Sequence, residues 1–109
     1  MKTRYQKLVR DLIPDVILAN GGSPNVKRLP KKEFLLALQQ KLEEEVQEFL
    51  TAKTKVDALE ELADIVEVVE ALALANGFSA ADVQAKKKSK KKQRGGFEKR
   101  LFLVEVEEN

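Results

Sequence analysis

The chain has 109 residues, 43% of them hydrophobic and 35% charged, with a formal net charge of +2. That balance predicts one folded domain over residues 1–109; with no apolar run near the roughly 18 residues that span a bilayer and no leader pattern at Met1, a cytoplasmic protein away from membranes is expected. Cysteine and histidine are both absent, which excludes disulfides, thiolate and imidazole chemistry and the usual zinc sites, so any metal must be held by oxygen: Mg²⁺ first, with Mn²⁺ or Ca²⁺ as alternatives.

Tyr5 to Val9 reads as a short extended lead-in. Asp11 is placed to cap a helix running to about Ala19, with Pro14 tolerated in the first turn, and Asn20-Gly21-Gly22 stops it. After a loop from Ser23 to Leu29, Pro30 opens a long helix to about Ala52. On it Phe34, Leu35, Leu38, Leu42, Val46, Phe49 and Leu50 recur at helical spacing. The next helix starts at Asp57, which forms a capping-box-like pair with Glu60, and ends at Asn76-Gly77. Ser79 and Asp82 repeat the capping pattern for a fourth helix, which carries lysines to about Gln93 before Gly95-Gly96. Arg100 to Val106 alternates enough for a short strand pairing with Tyr5–Val9. The expected fold is all-α, an antiparallel bundle of about four helices with a small terminal β pairing. A chain this short gains from self-association.

The long helix contains Glu43-Glu44-Glu45-Val46-Gln47-Glu48. Residues three apart are neighbours on a helix surface, so Glu45 and Glu48 present two carboxylates side by side. Glu45 also interrupts the apolar row Leu38, Leu42, Phe49. A carboxylate there costs several kcal/mol if it stays charged and unpaired. The following helix repeats the pattern: Glu61 and Asp64 are three apart, and Glu61 heads the row Ile65, Val68, Leu72. Two antiparallel helices on a short loop face each other, so the acidic pairs converge near that loop. Four carboxylates crowded together repel one another without a cation, and with one they form a hard-metal site. Runs such as this are more often solvated faces, and that is the reading for Glu43, Glu67 and Glu70, while Glu60 is a capping partner. Two matching pairs breaking apolar rows on adjacent helices favour the metal site.

Charge is lopsided along the chain. Between Glu43 and Glu70 only Lys53 and Lys55 oppose the acids, whereas between Lys86 and Arg100 nine cations face a lone Glu98. A metal–polyphosphate ligand needs both kinds of surface. Lys7, Arg10 and Arg94 are the candidates for binding phosphate, with Gly95 and Gly96 letting the backbone approach an anion; surface salt bridging is the plainer role for Lys7 and Arg10. Tyr5 and Phe97 can stack a base, although core or interface packing is the commoner use of such rings.

Glu44-Glu45-Val46-Gln47-Glu48 followed by Glu61-Leu62-Ala63-Asp64 resembles the EExxE…ExxD signature of the MazG-like, all-α NTP pyrophosphatase superfamily, which includes phosphoribosyl-ATP pyrophosphohydrolases. Lys7-Leu8-Val9-Arg10-Asp11-Leu12-Ile13-Pro14 and Arg94-Gly95-Gly96-Phe97 are similar to flanking motifs of a small single-domain branch. The resemblance implies Mg²⁺-dependent cleavage of a nucleoside triphosphate to monophosphate and pyrophosphate. By position it makes Glu45, Glu48, Glu61 and Asp64 the metal ligands, and Glu44 a supporting carboxylate or the base that orients the attacking water. It also implies a homodimer or homotetramer. The lysine run from Lys86 to Lys92 is denser than the family pattern requires.

Two rival readings stand beside it. The Lys86–Arg100 block offers affinity for nucleic-acid phosphates, but no recognisable nucleic-acid motif accompanies it and the acidic half opposes a polyanion, so nucleic acid is not the expected partner. A helical scaffold whose acidic stripes pair with a partner's lysines is the other.

Overall fold

The rows of apolar residues resolve into four helices in this computed structural model, which describes residues 1–108: α1 (Ile13–Ala19), α2 (Lys31–Leu50), α3 (Lys55–Ala75) and α4 (Ala80–Arg94). Asn109, the last residue of the expected domain, lies outside that range. The all-α expectation holds. The caps explain most boundaries: Ser79 and Asp82 make the reciprocal capping box expected of α4, at 3.0 and 2.8 Å. Gly95, at φ 81°, ends α4 in a conformation that glycine adopts without strain.

Two starts differ from expectation. α3 begins before Asp57, because Thr54 is the cap residue and its hydroxyl accepts from the Asp57 N–H at 3.1 Å. Asp11 does not cap α1; Leu12 occupies that position with no side-chain bond, and Pro14 in the first turn already removes one of the amides a cap serves. The terminal β pairing is also not formed, since there is no strand among the described residues. Gln6 and Arg100 both sit at positive φ, 48° and 56°, which breaks an extended run at each proposed partner. The Arg100 N–H instead closes a turn onto the Phe97 carbonyl at 3.1 Å.

The centre of the molecule is the α2–α3 hairpin, closed by residues 51–54. Its buried side chains are few: Leu38, Val68, Ala73 and, among them, Glu45 at 5% exposure. α4 packs on α3 much less extensively and does not meet α2, and α1 meets no other helix. The N-terminal segment is instead tied to the hairpin by ion pairs from Lys7 and Arg10. The result is elongated, 65 × 35 × 24 Å, with a radius of gyration of 18.6 Å where a compact chain of this length has about 13 Å. No helix among the described residues is long and apolar enough to cross a membrane.

Candidate metal centre

Glu45, Glu61 and Asp64 meet across the hairpin, each offering a carboxylate oxygen within 4.8 Å of the others. Helical periodicity does the assembling. Glu45 falls on the inward row of α2 beside Leu38, and Glu61 and Asp64 lie on the facing side of α3 ahead of Val68. Glu48 is exposed and stands at the rim, with its carboxylate beside those of Glu45 and Glu61. Glu44, half-buried, turns to the flank, where Lys7 reaches it at 3.2 Å and Lys41 at 3.5 Å.

The arrangement is short of donors. Glu45 Oε2 and Glu61 Oε2 are buried with no hydrogen-bond partner among the described residues. Two carboxyl groups face each other stably only if a proton or a cation lies between them. The crowding shows in the acidity of the pair: contact with Glu45, then burial and the nearby Glu48, push Glu61 up to about 7. Burial acts to raise Glu45 as well, but its bonds to Glu61 and Lys41 outweigh that and hold it below the ordinary carboxylate value. The donor set is entirely anionic oxygen, and two of its atoms are orphaned. That fits a hard divalent cation.

Lys41 is a member of this site that sequence spacing signals and the motif does not. It lies four residues before Glu45 and three before Glu44, with Nζ 3.1 Å from Glu45 Oε1, and its side chain is only 17% exposed. Burial disfavours its charge, yet the bonds to Glu45 and Glu44 prevail and raise it above the usual lysine value. Removing one partner of a buried pair strands the other, so Lys41→Met is expected to destabilise the metal-free protein by about 3 kcal/mol in urea denaturation. A saturating divalent cation should shrink that loss, because it takes over neutralisation of Glu45.

The phosphate-binding candidates are placed unequally. Arg10 bonds Asp64 at 2.7 Å, and Lys7 bonds Glu44, with its Nζ also 5.8 Å from the centre of the Tyr5 ring. Arg94 stands at the end of α4, beside Gly95, Gly96 and the exposed Phe97, and makes no ion pair with the acidic cluster among the described residues.

Metal-free stability should respond to pH in a defined window. Glu61 is raised above its ordinary value of 4.5, so its favourable contribution is complete below that pH and is lost as pH climbs through about 7. The melting temperature of the metal-free protein is therefore expected to fall between pH 5 and about 8, and affinity for a divalent cation to rise over the same interval as the proton is displaced. Glu45 is lowered and acts in the opposite sense, at acid pH below that window.

Comparison with known proteins bears on this geometry. The family model described as phosphoribosyl-ATP pyrophosphohydrolase matches residues 23–91, which takes in α2, α3 and most of α4. An uncharacterized protein of Mycolicibacterium smegmatis is 46% identical over 54 residues, covering 50% of this chain and 55% of that protein, so the match spans about half the length of the relative. No solved structure matches.

Proposed function

The chain belongs to the phosphoribosyl-ATP pyrophosphohydrolase family, a branch of the MazG-like all-α NTP pyrophosphatases, and from that premise we propose that it hydrolyses a nucleoside triphosphate or close relative to the monophosphate and pyrophosphate, with Mg²⁺ or Mn²⁺ as cofactor. The observation that carries this reading is the pair of buried, donorless oxygens on Glu45 and Glu61 inside a carboxylate cluster. Glu45, Glu48, Glu61 and Asp64 would hold the ion, which supplies Lewis-acid neutralisation of phosphate charge.

The chain's own residues do the rest. Glu44, held by Lys41 once Lys7 turns from it to the substrate, orients the attacking water and accepts its proton. The water oxygen bonds to phosphorus as the P–O bond to the leaving pyrophosphate breaks. Lys7, Arg10 and Arg94 bind phosphate oxygens. Little covalent chemistry is asked of the protein; positioning and charge supply the rate.

The same reading includes a homodimer or homotetramer. The isolated chain exposes 10487 Å², against about 6,100 Å² for a compact monomer of its 12.3 kDa mass. Leu59, Leu62, Val66 and Val69 form one exposed apolar row on α3, at the spacing of a helix-packing seam. A panel of nucleoside triphosphates and phosphoribosyl-ATP, assayed for pyrophosphate with Mg²⁺, Mn²⁺ and EDTA, tests the activity. Release that is abolished by EDTA is expected; no release from any of them defeats the reading.

A further inference from the structure

We propose that Lys41 is a positioning residue that sets which cation the acidic centre accepts, by holding Glu45 Oε1 so that only Oε2 is left for the ion. This rests on the metal-dependent reading above and adds to it a residue outside the acidic motif. Two carboxylates of the cluster have one oxygen covered by a cation. Lys41 Nζ lies 3.1 Å from Glu45 Oε1, and an Arg10 nitrogen lies 2.7 Å from Asp64 Oδ1. The other oxygen of Glu45, Oε2, is buried without a donor, as is Glu61 Oε2. Glu45 therefore presents its two oxygens already sorted, one held by the lysine and one bare.

The two cations are held with different firmness. The Arg10 side chain is 54% exposed and comes from the N-terminal segment, so it can leave Asp64 for phosphate. Lys41 shares α2 with Glu45, one helical turn before it, and its side chain is 17% exposed. Its Nζ is also 3.5 Å from Glu44 Oε1, which places it between the carboxylates of two consecutive residues. A bound ion does not expel it. Glu45, Glu48, Glu61 and Asp64 bring four negative charges, a divalent cation cancels two, and the remainder still attracts the ammonium group. The consequence is for coordination number. Mg²⁺ demands a near-ideal octahedron of about six oxygens, which carboxylates giving one oxygen each suit, whereas Ca²⁺ gathers up to about eight and readily takes both oxygens of a carboxylate. With Oε1 occupied, Glu45 cannot give both. Lys41 thereby disfavours the larger ion, a selection that the negative charge of the cluster does not make by itself.

Cation competition on the full-length protein tests this without any nucleotide. Mn²⁺ bound to the protein is displaced with Mg²⁺ or with Ca²⁺, and the free Mn²⁺ is read by paramagnetic resonance. Loss of a positive charge in Lys41→Met strengthens the binding of both ions, so the ratio of their affinities is what reports on the oxygens. That ratio should move about 10-fold toward Ca²⁺ in K41M, the scale on which a ligand's supporting partner acts on metal affinity. K41R keeps a cationic donor four residues before Glu45 and should hold the wild-type ratio. A ratio unchanged in K41M, or moved as far in K41R, overturns the proposal, as does a centre that takes up no Mn²⁺. Because K41M is expected to lose stability, crystals of the wild-type protein grown in Ca²⁺ give a second measurement that needs no variant. Glu45 bound through one oxygen, with Lys41 still on the other, is the expected result; both oxygens on the ion, with Lys41 withdrawn, overturns it. If the wild-type protein shows this selectivity but releases no pyrophosphate from any nucleotide, the pyrophosphohydrolase reading fails and the role of Lys41 stands.

Discussion

Glu61→Gln is expected to cut pyrophosphate release by at least about 100-fold, beyond the roughly 10–100-fold cost of losing a residue that only orients a ligand. The same substitution should raise the melting temperature of the metal-free protein at pH 8. Both effects come from one contact. Glu61 faces Glu45 across the hairpin and at neutral pH stands near its midpoint of ionisation, about 7. Above that pH two negative carboxylates are crowded against each other with no donor between them. A glutamine keeps the shape and donates an amide N–H to Glu45 at every pH, so repulsion disappears together with one ligand for the cation. The pH dependence of metal-free stability should flatten in the variant. A scaffold using these acids only for salt bridges gives neither the gain in stability nor the loss of Mg²⁺-dependent turnover.

The second large effect concerns the α3 surface. In the isolated chain Leu62 and Val66 are 45% and 53% exposed, so a charged substitution there should shift stability by no more than about 0.5 kcal/mol if the protein works alone. If their row is the seam between copies, L62E with V66E places two unpaired charges in a desolvated interface, at several kcal/mol for each. Dissociation should then strengthen by at least about 1,000-fold, and a chain whose own core comprises Leu38, Val68 and Ala73 should lose its cooperative unfolding transition. Sedimentation velocity of the wild-type and doubly substituted proteins at equal concentration measures this. An unchanged sedimentation profile would remove the seam.

Much of this was legible from spacing. The rows through Leu38 and Val68 predict which faces of α2 and α3 meet, and a carboxylate in such a row is legible because burying charge without a partner is so unfavourable. Glu45 is accordingly 5% exposed. Lys41 was equally accessible in principle through its i+3 and i+4 relation to Glu44 and Glu45, but a motif written only in acids draws attention away from the cation that makes their burial tolerable. The cap of α3 falls on Thr54 and not on Asp57, and the sequence does not separate the two because both residues suit the position and only the hydroxyl geometry decides between them. The expected terminal strands failed at Gln6 and Arg100, single backbone angles that alternation of side chains does not encode. Least legible was the direction of α4. Its cap and stop are plain in the sequence, yet whether Arg94 returns to the acidic centre depends on the Asn76–Phe78 turn, where Gly77 takes φ 88°.

The most direct measurement is anomalous diffraction from crystals grown in Mn²⁺. A single strong peak touching carboxylate oxygens of Glu45, Glu48, Glu61 and Asp64, with Arg10 drawn off Asp64, is the predicted result. Manganese bound elsewhere, while Glu45 and Glu61 still face each other with no ion between them and Asp64 still holds Arg10, would contradict a metal-dependent hydrolase.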